Sequence, residues 1–378
     1  MGRIVNHLSR NIGERFGGTD NERAAARFIE SEMKSIGLET EVQIFKFLGY
    51  KLTREPSLRI HSPETVEMKP GTLLYSDSTA PDGFTGELKR YGTAYVIEGM
   101  FEWPKYSIVD DTGKIGAYIV AFDKGAAINI PLSRMGRFWG QAPHIMVGKK
   151  EYEMIEGWLN KNERVKVTVD VAGEYAPNVM SQNVIGALKG KNVPEEEVVV
   201  CAHYDSALGA VGADDNASGV EAMLRVAEKV VNRGSRKTVK FIAFGAEEYS
   251  LIGSNYYVEM LKERGQLNRV KTAINLDMVG AGDTLQIGAH PPLFEKQVLA
   301  AIEKSGLSKL VKVQTAKLCE SSDHWPFMRE AIPVTNFLFW PYEYYHQTVD
   351  TQEKVDDNTI DYTARAALGI LKETAHLL

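Results

Sequence analysis

The chain has 378 residues, of which 44% are hydrophobic and 25% charged. That is ordinary globular composition, long enough for one large core and a second module. A formal net charge of −6, from 44 basic against 50 acidic residues, and the lack of any basic run argue against a nucleic-acid partner. No apolar stretch approaches the ~18–20 residues that span a bilayer. Met1 to Phe16 carry charges throughout, without the apolar centre of a signal peptide. The expected location is the cytoplasm, or outside the cell if a leader has been trimmed. Cys201 and Cys319 have neither metal-pair spacing nor a partner framework, and read as buried free thiols.

In chain order, Asp20 to Ile36 reads as an amphipathic helix, with Ala25, Phe28, Ile29, Met33 and Ile36 at helical spacing. Thr19 or Asp20 caps its start and Gly37 its end. Glu39 to Phe45 alternates as a strand. From about Lys51 to Gly173 the character changes to proline, glycine and short β-rich runs: Gly92–Ile97, Ile115–Phe122, His144–Val147 and Val165–Val171, with one helix over Lys150–Leu159. The expected organisation is a mostly β domain, 51–173, inserted into a first domain of 1–50 and 174–378, with Glu174–Met180 as the link. From Ser181 strands and helices alternate. Strands are expected at Glu196–Ala202, Lys237–Phe244, Val270–Leu276 and Pro333–Phe339. Helices are expected at Val220–Val231, Ser254–Arg264, Leu293–Lys304 and Thr359–Leu378. This pattern predicts an α/β fold with a mainly parallel sheet sandwiched by helices.

The informative residues lie just after strands. They are His203-Tyr204-Asp205, then Gly212-Ala213-Asp214-Asp215-Asn216-Ala217-Ser218-Gly219 opening a helix, Gly245-Ala246-Glu247-Glu248, Asn275-Leu276-Asp277 and Tyr344-Tyr345-His346. Open α/β sheets gather ligands beyond the carboxyl ends of their strands, so these segments should converge. Two histidines and three carboxylates suit a pair of zinc ions, with cobalt or manganese as possible substitutes. Each metal takes one His and one carboxylate, and an aspartate bridges. Two divalent ions balance three carboxylates and a hydroxide, which eases burial of the site. Water between two metals becomes a nucleophile at neutral pH, and a further carboxylate that binds no metal can carry its proton. The pair Glu247-Glu248 offers one residue for each task. Singly, each residue has an ordinary explanation as a core histidine, a solvated acid or a turn; the conjunction at successive strand ends is the signal.

These segments resemble the zinc aminopeptidases of the M28 type, over roughly Asn11–Phe45 and Ser181–Leu378. The resemblance rests on the HxD strand end, the G-A-D-D-N-A-S-G turn, the Glu-Glu pair before Leu251-Ile252-Gly253-Ser254, the N-L-D-M strand end and the late Tyr-His. It implies a zinc-exopeptidase fold and removal of terminal residues from peptide substrates. It further implies that His203 and Asp277 bind one zinc, Glu248 and His346 the other, and that Asp215 bridges. By the same resemblance Glu247 is the general base, Tyr345 helps to stabilise the oxyanion and Asp205 orients His203. The family's bridging aspartate is commonly followed by a cis peptide, expected here at Asp215–Asn216. The inserted stretch resembles a protease-associated domain through Gly113–Val120 and Ala142–Val147, and it could cover the cleft or serve as a passive scaffold.

Other residues carry weaker readings. Ser321-Ser322-Asp323-His324 resembles a family segment that lines or braces the site. Asp350 is a buttress for His346 or a loop salt-bridge partner. Phe327, Phe339, Trp340 and Tyr344 line a side-chain pocket or pack the core. His7, His61, His144, His290 and His376 have no expected catalytic part. Three rival functions are a glutaminyl cyclase, which would use one zinc, a carboxypeptidase of the same family, and a non-catalytic binding protein that has lost its metals; here no ligand is missing.

Overall fold

The computed structural model describes residues 2–97, 101–131 and 142–378, with main chain alone at 95–97 and 101. The chain divides into two compact units. One holds Met1–Phe47, Met180–Tyr342 and Thr348–Leu378; the other holds Leu48–Val179 and Glu343–Gln347.

In the first unit the central strand is Val193–His203. It pairs in parallel with Lys237–Phe244 on one side and with Val270–Leu276 on the other. Val270–Leu276 pairs in parallel with Val334–Trp340. Beyond that, Thr284–His290 runs antiparallel to Val334–Trp340 and parallel to Lys312–Thr315, so the sheet is mixed around a parallel centre. The far side of Lys237–Phe244 is closed antiparallel by Val184–Leu188.

Successive side chains of a strand face opposite ways, and the central strand shows this directly. Val198, Val200 and Ala202 join a core with the helices Asp20–Ile36, Gly219–Arg233, Pro292–Lys304 and Asp357–Thr374. Val199 and Cys201 join a second core with Tyr257, Val258 and Leu261 of the helix Ile252–Glu263 and with Phe327. Both faces are therefore dry, which is why this strand reads as a continuous apolar run. The helix Asp20–Ile36 is capped as expected: the Thr19 side chain accepts from the Glu22 N–H, and Gly37 sits at φ 98° in the left-handed region, where glycine is favoured.

The second unit is β-rich. Phe84–Ile97 pairs antiparallel with Phe101–Val109, which pairs antiparallel with Ile115–Ala121, which runs parallel to His144–Val147. Its strands again face two ways. Ala117, Ile119, Ile145 and Val147 share a core with Ile155 and Trp158 of the helix Lys149–Asn160, while Val120 and Met146 turn to a core around Trp103 and Phe122.

Several local expectations change. The strand after the first helix runs over Glu39–Ser62, far past Phe45. The link Glu174–Met180 lies within one long strand, Lys166–Leu188, whose ends pair at Val167–Val169 and at Val184–Leu188, with Asn178 between them at φ 63°. The last helix stops at Thr374, and Leu377 instead bridges to Ser235.

Candidate metal centre

Parallel register brings the key segments level. His203 is paired with Phe244, and Cys201 with Asn275. The strands therefore end side by side, and the residues that follow, Asp205, Glu247, Glu248 and Asp277, emerge at one end of the sheet.

There His203, Asp215 and Asp277 each offer a ligand atom within 4.8 Å of the others, and so do His203, Glu247 and Glu248. The Nε2 of His203 lies 3.1 Å from Asp215 Oδ1 and 3.3 Å from Asp277 Oδ1, and its Nδ1 lies 3.5 Å from Asp205 Oδ1. His203, Asp215, Glu247 and Glu248 are all buried. Burial opposes charge on His203, but Glu247 and Asp277, together with hydrogen bonding to Asp205 and Asp215, outweigh it and raise its pKa well above the usual value. So many carboxylates in a dry site demand positive charge, and a cation facing Nε2 answers that demand. A proton held on Nδ1 toward Asp205 would leave the Nε2 lone pair for a metal. The nitrogen and oxygen donors suit zinc.

The turn that aims Asp215 is pinned on both sides. The Asp350 carboxylate accepts the Asp214 N–H at 2.9 Å and the Asp215 N–H at 3.1 Å, and takes the Tyr342 hydroxyl at 2.6 Å. Asp350 thus braces the Asp215 turn. On the other side the alternate residues of the turn satisfy the backbone after Asp277. Asn216 Oδ1 accepts from Met278 N–H, Ser218 Oγ from Val279 N–H, and Asp214 Oδ1 from Gly280 N–H. Asp215 is left to face His203. The Asp215–Asn216 peptide is cis, as expected. Gly212, which opens the turn at φ 66°, has no room for a side chain: a Cβ would lie 2.3 Å from the Asp215 carbonyl oxygen.

Asp205 has a second task besides facing His203. Its two carboxylate oxygens accept the N–H groups of Glu247 and Glu248, each at 3.1 Å, so one buried acid faces the imidazole and holds the Glu-Glu turn. Glu22 holds the same turn from the helix side. It accepts from Ala246 N–H at 3.1 Å, Ser181 Oγ at 2.5 Å and Gly18 N–H at 2.6 Å.

Burial, reinforced by Asp205, pushes Glu22 up to about 8. An unfolded Glu titrates near 4.3, so between about pH 4 and 8 the folded chain keeps a proton that the unfolded chain has lost. Stability from this group is then full at the acid end and declines as pH rises through that window, by an amount on the order of a few kcal/mol. Thermal unfolding of Glu22→Gln across this range is expected to show a shallower fall of Tm with pH than the parent. An equal or steeper fall would exclude the protonated carboxyl.

Tyr345 and His346 belong to the segment Glu343–Gln347, which packs with the second unit. There the His346 Nδ1 lies 3.2 Å from the Asn129 carbonyl oxygen, and the two rings stack at 3.8 Å between centroids. Asp323 and His324 are fully buried. Burial raises Asp323 to about 7 and lowers His324 to about 4, and the neighbouring Ser322 receives a hydrogen bond from Asn275 at 2.7 Å, so this segment braces the strand Val270–Leu276, which precedes Asp277. Phe327 and Phe339 are fully buried in the two cores, which corrects the pocket reading for them. Cys201 is buried and Cys319 partly so, and neither forms a disulfide.

The parts that sequence reasoning missed are Arg15, Glu22, Asn216 and Ser218, and the hold of Asp350 on the Asp215 turn. Only the polar spacing of 214, 216 and 218 leaves a local trace; the others act over long sequence separations.

The family model described as Peptidase family M28 matches residues 183–371. The aminopeptidase YwaD of Bacillus subtilis is 29% identical, over 93% of this chain and 79% of its own length. Among solved structures, BSAP, a zinc aminopeptidase from Bacillus subtilis, superimposes with a TM-score of 0.74 at 25% identity, covering 98% of this chain and 93% of the other. The aminopeptidase from Aneurinibacillus sp. strain AM-1 does so with a TM-score of 0.74 at 26% identity, covering 98% and 92%.

Proposed function

Since the chain belongs to Peptidase family M28, we propose that it is a zinc-dependent aminopeptidase that removes single residues from the amino ends of peptides. The observation that carries the reading is His203 Nε2 faced by the carboxylates of Asp215 and Asp277 at 3.1 and 3.3 Å, with Glu247 and Glu248 in reach of the same imidazole. His203 and Asp277 would hold one zinc, Glu248 and His346 a second, with Asp215 shared. When bound, the ions would polarise the scissile carbonyl and lower the pKa of the attacking water.

The chain's own groups do the rest. Asp205 keeps the Nδ1 proton of His203 in place and fixes the Glu247-Glu248 backbone. Glu247 takes the proton of the attacking water and returns it to the leaving nitrogen. Tyr345 donates its hydroxyl to the oxyanion. The unit of 48–179 is read as an inserted module of the protease-associated type.

The direction of cleavage is tested with matched peptides. A peptide with a free amino end and an amidated carboxyl end is expected to lose residues one at a time from the amino end. The same peptide with an acetylated amino end and a free carboxyl end is expected to stay intact. Cleavage of the acetylated peptide alone would assign a carboxypeptidase instead.

A further inference from the structure

Arg15 is a buried charged group with no part in the chemistry proposed above. Its side chain is 0% exposed, in a segment that precedes the stretch matched by the family model. Nε donates to the Tyr204 carbonyl at 2.8 Å. Nη1 donates to Leu8, Gly13 and Val211 at 3.2, 2.9 and 2.7 Å, and Nη2 to Gly212 at 2.9 Å. Tyr204 stands between His203 and Asp205, while Val211 and Gly212 lead into the turn that carries Asp215. One rigid guanidinium therefore joins the two segments that supply neighbouring donors. Its own backbone is seated by Ser206, whose Oγ accepts the Arg15 N–H at 2.9 Å and donates to the Ala210 carbonyl at 2.9 Å.

A planar group with five N–H donors in fixed directions can hold carbonyls on both segments at once. A lysine ammonium, a point charge with three donors, cannot span the same set. We propose that Arg15 is a positioning residue for the metal centre: its guanidinium sets the separation of the His203–Asp205 strand end and the Asp215 turn, and so the zinc affinity of the site. Arg15 touches neither metal nor substrate. Its charge also lies near Asp205, Asp350, Asp215 and Glu248, so the same side chain offsets part of the negative charge of the ligands while the metal is absent. This inference rests on the metal site of the proposed function.

The test is zinc affinity in zinc-buffered solution, measured for the parent, for Arg15→Lys and for a core truncation away from the site, Val298→Ala, as the stability control. Partners that orient metal ligands from behind are typically worth ~10–100-fold in metal affinity or activity. Arg15→Lys is expected to bind zinc at least about tenfold more weakly, with kcat lowered and KM within about twofold. Val298→Ala should keep parental affinity whatever its Tm. Added guanidinium at non-denaturing concentration should restore part of the zinc affinity of Arg15→Ala. Zinc affinity of Arg15→Lys within twofold of the parent, or lowered no more than in Val298→Ala, would overturn the role. If Arg15→Lys does not fold, Ser206→Ala decides, since it loosens the seat of Arg15 and leaves the guanidinium in place: weaker zinc binding supports the role and parental binding overturns it. A parent that binds no zinc would instead remove the metal reading itself.

Discussion

Glu247→Gln is expected to retain the parent's zinc content while kcat falls by about 10²–10⁴-fold, the usual worth of a general base. Glutamine keeps the size of the side chain and its place in the buried turn, where Asp205 holds the backbone N–H of residue 247. It cannot accept the water's proton at neutral pH. Because the loss falls on the chemical step, KM should change little. Glu248→Gln is expected to behave differently. Its own backbone N–H is held by the same carboxylate, but its proposed task is to bind metal, so zinc content should fall together with turnover. Both glutamates lie in reach of His203, so geometry alone leaves the two tasks to be separated by experiment. Elemental analysis beside turnover for both variants does so. Metal loss in Glu247→Gln with full loading in Glu248→Gln would reverse the assignment.

Removal of zinc is expected to abolish activity and to lower Tm, with both restored by zinc or cobalt. The reason is the burial of Asp215, Glu247 and Glu248 beside His203: without a cation the folded state keeps several acids in a dry site, and each must be neutralised or left uncompensated. A ligand that binds only the folded chain stabilises it by RT ln(1 + [L]/Kd), about 4 kcal/mol at a free concentration a thousand times Kd. His203→Ala and Asp215→Ala should each lose zinc, and the Tm of either should respond to added zinc far less than that of the parent. Differential scanning calorimetry with and without a chelator reads this directly. A chelated parent with unchanged turnover would point to a mechanism without metal.

Much of the candidate centre was legible because its donor residues stand at strand ends. A strand buried on both faces is an unbroken apolar run, so a polar residue where the run stops is conspicuous. His203 after Val198–Ala202, Glu247 and Glu248 after Val239–Phe244, and Asp277 after Ala273–Leu276 all stand out in this way, and parallel pairing then puts those ends level. The turn around Asp215 was legible as a motif, while the tasks of its other members were not. Asp214, Asn216 and Ser218 each satisfy one N–H among residues 278–280, more than 60 positions away, and no local preference encodes such a pairing.

Residue order alone thus determined the α/β class, the strand-end donors and the buried helix faces, since each depends on short-range periodicity and on which side chains tolerate a dry environment. The tertiary structure decided what holds the donors in place. Arg15 and Glu22 lie in or beside an amphipathic helix and look like its solvated face, yet both are fully buried and reach backbone groups near residues 204, 212 and 246. Asp350 looks like a loop acid, yet it caps the turn of Asp215. A hydrogen bond between residues some 200 positions apart exists only once the sheet has assembled, so its donor and acceptor carry no mark of it in the residues that flank them.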